Sequence, residues 1–161
     1  MTYERFYATV PESFQVFDKV VKSWHEGLPQ NIGIIGEKGS GKTTLLTFMK
    51  EKYLSGEQVV SLDFKETLYS EREMLKRLAS ALEVGPQESR AEMIRALREK
   101  ATRPVCIIEG IQNLFIRQIR GFDALESLML IISETRDSIL WITSCSRYAW
   151  EFLNKVMDIR E

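Results

Sequence analysis

Short, largely apolar runs alternate along this chain with longer stretches in which apolar residues return every three or four positions. The short runs lie at residues 31–35, 58–64, 105–109 and 139–142, the clearest being Val105-Cys106-Ile107-Ile108 and Ile139-Leu140-Trp141-Ile142. Runs of this length, bounded by turn residues, predict strands buried on both faces. The longer stretches predict helices. Phe14, Phe17, Val21 and Trp24 mark one over residues 12–25, ended by Gly27 and Pro29. Leu45, Leu46, Met49 and Tyr53 mark the next, over 42–54. Met74, Leu75, Leu78, Ala79 and Leu82 mark a third over 71–83, broken at Gly85-Pro86. The fourth opens on Ser89-x-x-Glu92, a capping-box pattern, and presents Ile94, Leu97 and Ala101. Phe122, Leu125, Leu128, Met129 and Ile132 predict a helix over 122–135, followed by a turn at Asp137-Ser138. Ser146 can cap a last helix carrying Ala149, Leu153 and Val156.

This alternation predicts an α/β fold: a mainly parallel sheet with helices on both faces, a three-layer α/β/α sandwich. Ligands of such sheets bind at the carboxyl ends of the strands. A length of 161 residues, 44% of them hydrophobic, suits a single domain over 1–161. Lys and Arg number 22 against 23 Asp and Glu, so charge gives nucleic-acid binding no support. Cys106 and Cys145 sit in apolar runs and read as buried free thiols, which fits a reducing cytoplasm. No run approaches the ~18 apolar residues of a membrane span, and Met1 to Pro11 has no apolar signal core. A cytoplasmic protein is the expectation.

The chemistry concentrates where the first strand meets the second helix. Gly36-Glu37-Lys38-Gly39-Ser40-Gly41-Lys42-Thr43-Thr44 fits G-x-x-x-x-G-K-[ST] at every fixed position. A triphosphate is dense negative charge and needs many donors with little bulk around them. Gly36, Gly39 and Gly41 let the backbone curl so that successive N–H groups point inward. The following helix aims its positive end at the phosphates. Lys42 supplies a point charge for the β and γ phosphates, and Thr43 a hydroxyl for Mg²⁺. Glu37 and Lys38 fill variable positions.

Mg²⁺ also needs a carboxylate, and Val105-Cys106-Ile107-Ile108-Glu109 has the required form, an apolar strand ending in an acid. A second acid to polarise an attacking water is not evident, because Gly110 follows. Asp63, near the end of the second strand, and Gln112 or Asn113 are candidate substitutes. For each, ordinary solvation or loop hydrogen bonding is the competing reading. The fourth strand ends in Thr143-Ser144-Cys145-Ser146. Thr143 or Ser144 resembles by position the polar sensor that AAA+-like domains place beside the γ phosphate, and a plain Ser146 helix cap competes with that reading. Among Arg117, Arg120, Arg136, Arg147 and Arg160, Arg147 is the first choice for neutralising transition-state charge. His25, the only histidine, falls at the end of the first helix and suits that terminus.

These segments together resemble the P-loop NTPase superfamily, and within it AAA+/STAND-like ATPase domains, over roughly residues 12–157. The resemblance implies ATP and Mg²⁺ as cofactors, with residues 36–44 on the nucleotide and Thr43 and Glu109 on the metal. It assigns Glu109, Ser144 and Arg147 to catalysis. The V-C-I-I-E-G run resembles a Walker B strand with Glu in place of the usual Asp and Gly in place of the usual catalytic Glu. Read one residue earlier, Glu109 becomes the catalytic acid and Ile108 falls on the metal position. The family's sheet implies the fourth strand between the first and third, with the second strand outside the third. Such domains normally add a fifth strand and a helical lid, so the chain reads as a domain excised from a longer protein. Function then divides into an ATPase coupling ATP binding and slow hydrolysis to conformational change or assembly, with homo-oligomers or further domains as partners, and a non-hydrolysing switch or scaffold. A small-molecule kinase is a third reading, weakened by the lack of an Arg-rich lid segment.

Overall fold

The computed structural model describes residues 11–37, 39–65, 70–115 and 121–157. Helix α1 (Pro11–His25) leads to strand β1 (Asn31–Gly36) and helix α2 (Lys42–Tyr53). Strand β2 (Val59–Asp63) is followed by α3 (Glu71–Ala81) and α4 (Arg90–Arg98). Strand β3 (Val105–Glu109) runs into a single 3₁₀ turn (Ile111–Leu114), then α5 (Asp123–Thr135), β4 (Leu140–Ser146) and α6 (Arg147–Met157). Arg117, Arg120, Arg160 and Lys38 lie outside the described residues.

The strands are ordered β1-β4-β3-β2, the order the family resemblance implies, and all three pairings are parallel. Parallel neighbours need crossover helices, and these cover both faces. Alternation along each strand sorts the side chains. Val105, Ile107, Leu140 and Ile142 meet Phe17, Val21 and Trp24 of α1 and Leu46 and Met49 of α2 on one face. Cys106, Ile108, Trp141 and Cys145 meet α3, α4 and α5 on the other. The central strands β3 and β4 are therefore apolar on both sides. Each fully buried Ile or Leu contributes about 1.5–3 kcal/mol.

On the α5 face two buried polar side chains satisfy each other, whereas Trp24 Nε1 on the other face has no hydrogen-bond partner among the described residues. Trp141 donates its indole N–H to Thr135 Oγ1 at 3.0 Å, and Thr135 donates to the Ile131 carbonyl at 2.6 Å. Both cysteines are free and buried. Burial pushes the Cys106 thiol up to about 12 and the Cys145 thiol up to about 11, with the Lys42 charge pulling Cys145 back.

Two expectations change. Helix α4 stops at Arg98, so Ala101 is exposed beyond it. The buried pair is Met93 and Leu97, one turn apart, with Ile94 only partly covered. Strand β4 runs four residues past Ile142, because pairing with β1 continues from Thr143↔Gly33 to Ser146↔Gly36. Among the described residues, no helix is long and apolar enough to cross a membrane.

Candidate functional site

The phosphate-loop sequence closes β1 and opens α2. Gly39 and Gly41 hold φ of +80° and +88°, in the left-handed region where a Cβ costs about 1–2 kcal/mol. Gly41 is the N-cap of α2 and brings no side-chain cap, and the first turn of α2 has no acidic residue. Helices α3 and α4 differ. Ser70 and Ser89 accept from the Glu73 and Glu92 N–H groups, and acidic residues fill their first turns. The amino end of α2 thus presents N–H groups and a positive dipole end that no side chain compensates, the arrangement an anion requires.

Lys42 curls back under the loop and donates to the carbonyls of Gly36 at 2.9 Å and Glu37 at 2.8 Å. The Glu37 carboxylate lies 3.5 Å from Arg147 Nε, where β4 gives way to α6. Both partners are more than half exposed, so the pair contributes at most ~1 kcal/mol. What it does is hold a guanidinium beside the phosphate loop. Ser40 donates its N–H to the Glu37 carbonyl at 3.1 Å, and Thr44 is exposed on the first turn of α2.

Thr43 joins this loop to the end of β3, donating its hydroxyl to Glu109 Oε1 at 2.7 Å. A hydroxyl and a carboxylate oxygen side by side are hard donors of the type Mg²⁺ takes. Among the described residues no group of three or more His, Cys, Asp or Glu could hold a metal. The donor set therefore fits an ion that keeps waters and takes oxygens from a bound phosphate, not one caged by protein alone.

Gly110 follows with φ +75°. A Cβ built there would stand 2.5 Å from the Phe64 carbonyl oxygen and 3.3 Å from Asn113 Nδ2. Asn113 donates its side-chain amide to that same carbonyl, and the Phe64 N–H donates to the Glu109 carbonyl at 3.1 Å. The backbone itself excludes a side chain directly after Glu109, and Asn113 is committed to the loop. Gln112 Oε1 is buried with no hydrogen-bond partner among the described residues. Asp63 sits on β2 directly across from Glu109.

The end of β4 is divided in use. Thr143 reaches the Ile32 carbonyl at 3.5 Å, Ser146 accepts the Ala149 N–H at 3.3 Å, and Ser144 is buried opposite Ile34. The structure thus gathers Gly36, Glu37, Lys42, Thr43, Glu109 and Arg147 at one end of the sheet. Arg136 follows α5 and precedes β4, at the sheet's other end. His25 pairs with Glu57 at 3.1 Å.

A cavity of about 620 Å³ opens from the phosphate loop, walled by Val16 and Phe17 of α1, Ile32 and Ile34 of β1, and Leu45 and Met49 of α2, with Lys42 and Arg147 also lining it. The role of α1 as a wall escaped the sequence reading. Its one signal is Val16, an apolar residue 60% exposed and off the helix's buried stripe.

A family model described as an AAA domain matches residues 26–148. Solved structures share the fold. A Walker-type ATPase of Pyrococcus abyssi aligns with a TM-score of 0.55 at 16% identity, covering 90% of this chain and 47% of that one. Drosophila ORC bound to AT-rich DNA and Cdc6 gives 0.51 at 16%, covering 91% and 53%. The same complex on GC-rich DNA gives 0.52 at 15%, covering 91% and 52%. The chain spans about half the length of these structures, and their low identity speaks for the fold alone. No curated protein matches it in sequence. With the family model covering most of the chain and the strand order in agreement, the chain belongs to the AAA domain family of P-loop NTPases.

Proposed function

We propose that this domain binds ATP with Mg²⁺ and couples binding and slow hydrolysis to a change of conformation or assembly. The observation that carries the reading is the 2.7 Å bond between Thr43 and Glu109, which brings the end of the phosphate loop and an acidic strand end onto one spot. In this reading Gly36 to Thr44 cradle the phosphates, and Lys42 leaves the Gly36 and Glu37 carbonyls for the β and γ phosphates. Thr43 and Glu109 hold the metal, which when bound would neutralise charge on the phosphate oxygens. Ser144 lies on the strand beside β1, where it can sense the γ phosphate. Arg147 exchanges Glu37 for the charge that develops during transfer. The apolar cavity beside α1 is large enough for the base.

The similar structures hold ORC together with Cdc6 and DNA. That supports assembly as the output, while the balanced charge of this chain gives DNA no further support. A second reading, a switch that binds ATP without hydrolysing it, is favoured by Gly110 alone. The test is calorimetric titration with Mg-ATP alongside phosphate release. The wild type is expected to bind ATP and release phosphate slowly, with Lys42→Ala and Glu109→Gln suppressing both. Binding without turnover would leave the switch reading. Loss of neither property in the two variants would sink the site as drawn.

A further inference from the structure

We infer that Asp63 is the residue that activates water at this site, in place of the acid that Gly110 cannot provide. The inference rests on the reading of the site as one for Mg-ATP and adds a catalytic residue to it.

Three observations carry it. First, the backbone closes the position after Glu109 to any side chain, since φ is positive and the Phe64 carbonyl stands 2.5 Å from a built Cβ. A second carboxylate has to come from elsewhere in the fold. Second, β2 supplies one at the same level, because Asp63 is the parallel register partner of Glu109. Adjacent strands lie about 4.8 Å apart, and register partners project to the same face. Alternation agrees. Val59 packs with the cluster under α1 and α2, whereas Val60 and Leu62 pack on the opposite face, so Asp63 shares the α2 side with Glu109. Third, Asp63 is fixed in its backbone and unused in its side chain. Its carbonyl accepts from Arg77 at 3.4 Å, and the next residue is pinned by Glu109 and Asn113. Its carboxylate is exposed and makes no hydrogen bond or ion pair among the described residues. An unpaired carboxylate on a rigid strand end is a poor stabiliser of the fold and a well-placed proton acceptor.

The step balances without a further reactant. The oxygen of a water between Asp63 and the γ phosphate forms a bond to the γ phosphorus, and the water's proton passes to the Asp63 carboxylate. The bond from that phosphorus to the β–γ bridging oxygen breaks, and its electron pair leaves on ADP. The proton then passes from Asp63 to solvent as phosphate departs. Glu109 stays on the metal throughout.

The experiment compares the full chain with Asp63→Asn, Asp63→Glu and Glu109→Gln. It reads Mg-ATP affinity, kcat, KM, the thermal midpoint and the identity of nucleotide that co-elutes after incubation. Asp63→Asn is expected to keep its midpoint, its ATP affinity and its KM, and to lose kcat by about 10²-fold or more. Its co-eluting nucleotide stays ATP where the wild type carries ADP. Asp63→Glu recovers part of the rate, and Glu109→Gln weakens the magnesium-dependent affinity instead. An Asp63→Asn protein with wild-type kcat overturns the inference, as does one that loses ATP affinity along with rate. A wild type that binds ATP without turnover overturns the inference and leaves nucleotide binding standing. A wild type that does not bind Mg-ATP removes the nucleotide reading itself.

Discussion

Gly110 shows how one residue constrains the chemistry at the end of β3. Its positive φ and the Phe64 carbonyl 2.5 Å from a built Cβ require glycine for two separate reasons. Gly110→Ala combines backbone strain with a steric clash and is expected to destabilise the fold by about 3 kcal/mol in urea denaturation. Asn113→Ala, which removes only the amide bonded to that carbonyl, should cost about 1 kcal/mol. If both variants unfold at the wild-type urea concentration, the strand end is not held as described. The phosphate-loop motif and the resemblance of Val105–Glu109 to a Walker B strand made Thr43 and Glu109 legible as a pair. The clamp around Gly110 was not, because it depends on a contact between β2 and the turn after β3 that no local pattern records.

Elements were legible where burial repeats with a clear period, and less so at their ends. The central strands β3 and β4, buried on both faces, read as continuous apolar runs, so their existence followed directly, while the strand order came only from the family resemblance. Ala101 was misplaced because its period continues that of Leu97 although the helix has already stopped at Arg98. The last residues of β4 were read as a polar end because Thr143, Ser144 and Ser146 are polar. Their backbone nevertheless pairs with β1 as far as Gly36, and that is what carries β4 up to the phosphate loop. Within α5, Thr135 is buried and bridges Trp141 to the helix backbone. Thr135→Val leaves the indole N–H without its acceptor and should cost about 1–3 kcal/mol, against about 1 kcal/mol for loss of the exposed-end cap in Ser70→Ala. Chemical denaturation that ranks the two the other way would contradict this assignment of the buried bond.

At the scale of the whole molecule, the sheet divides its labour. One end of the strands, with both faces covered, supplies stability, and the carboxyl end gathers the polar groups. The two thiols report on the first part. Burial raises Cys106 to about 12 and Cys145 to about 11 from the ordinary 9.0, so the fold favours their neutral forms. Their contribution is complete below pH 9.0 and is lost as pH rises through the folded values, because the unfolded chain releases those protons first. Stability to urea should therefore hold up to about pH 9 and fall from there to about pH 11–12, by less in Cys106→Ala. An equal fall in both would show that the fold does not shelter this thiol. The carboxyl end is tested through linkage. A ligand at ~100 times its Kd stabilises the folded state by about 2.7 kcal/mol, which for a domain of this size raises the melting temperature by roughly 5–10 °C. The most direct test is that melting temperature with and without saturating Mg-ATP, in the wild type and in Lys42→Ala. The structure predicts a clear rise for the wild type and none for the variant. The same midpoint with and without Mg-ATP in the wild type, or an equal rise in Lys42→Ala, would contradict a nucleotide site at the phosphate loop.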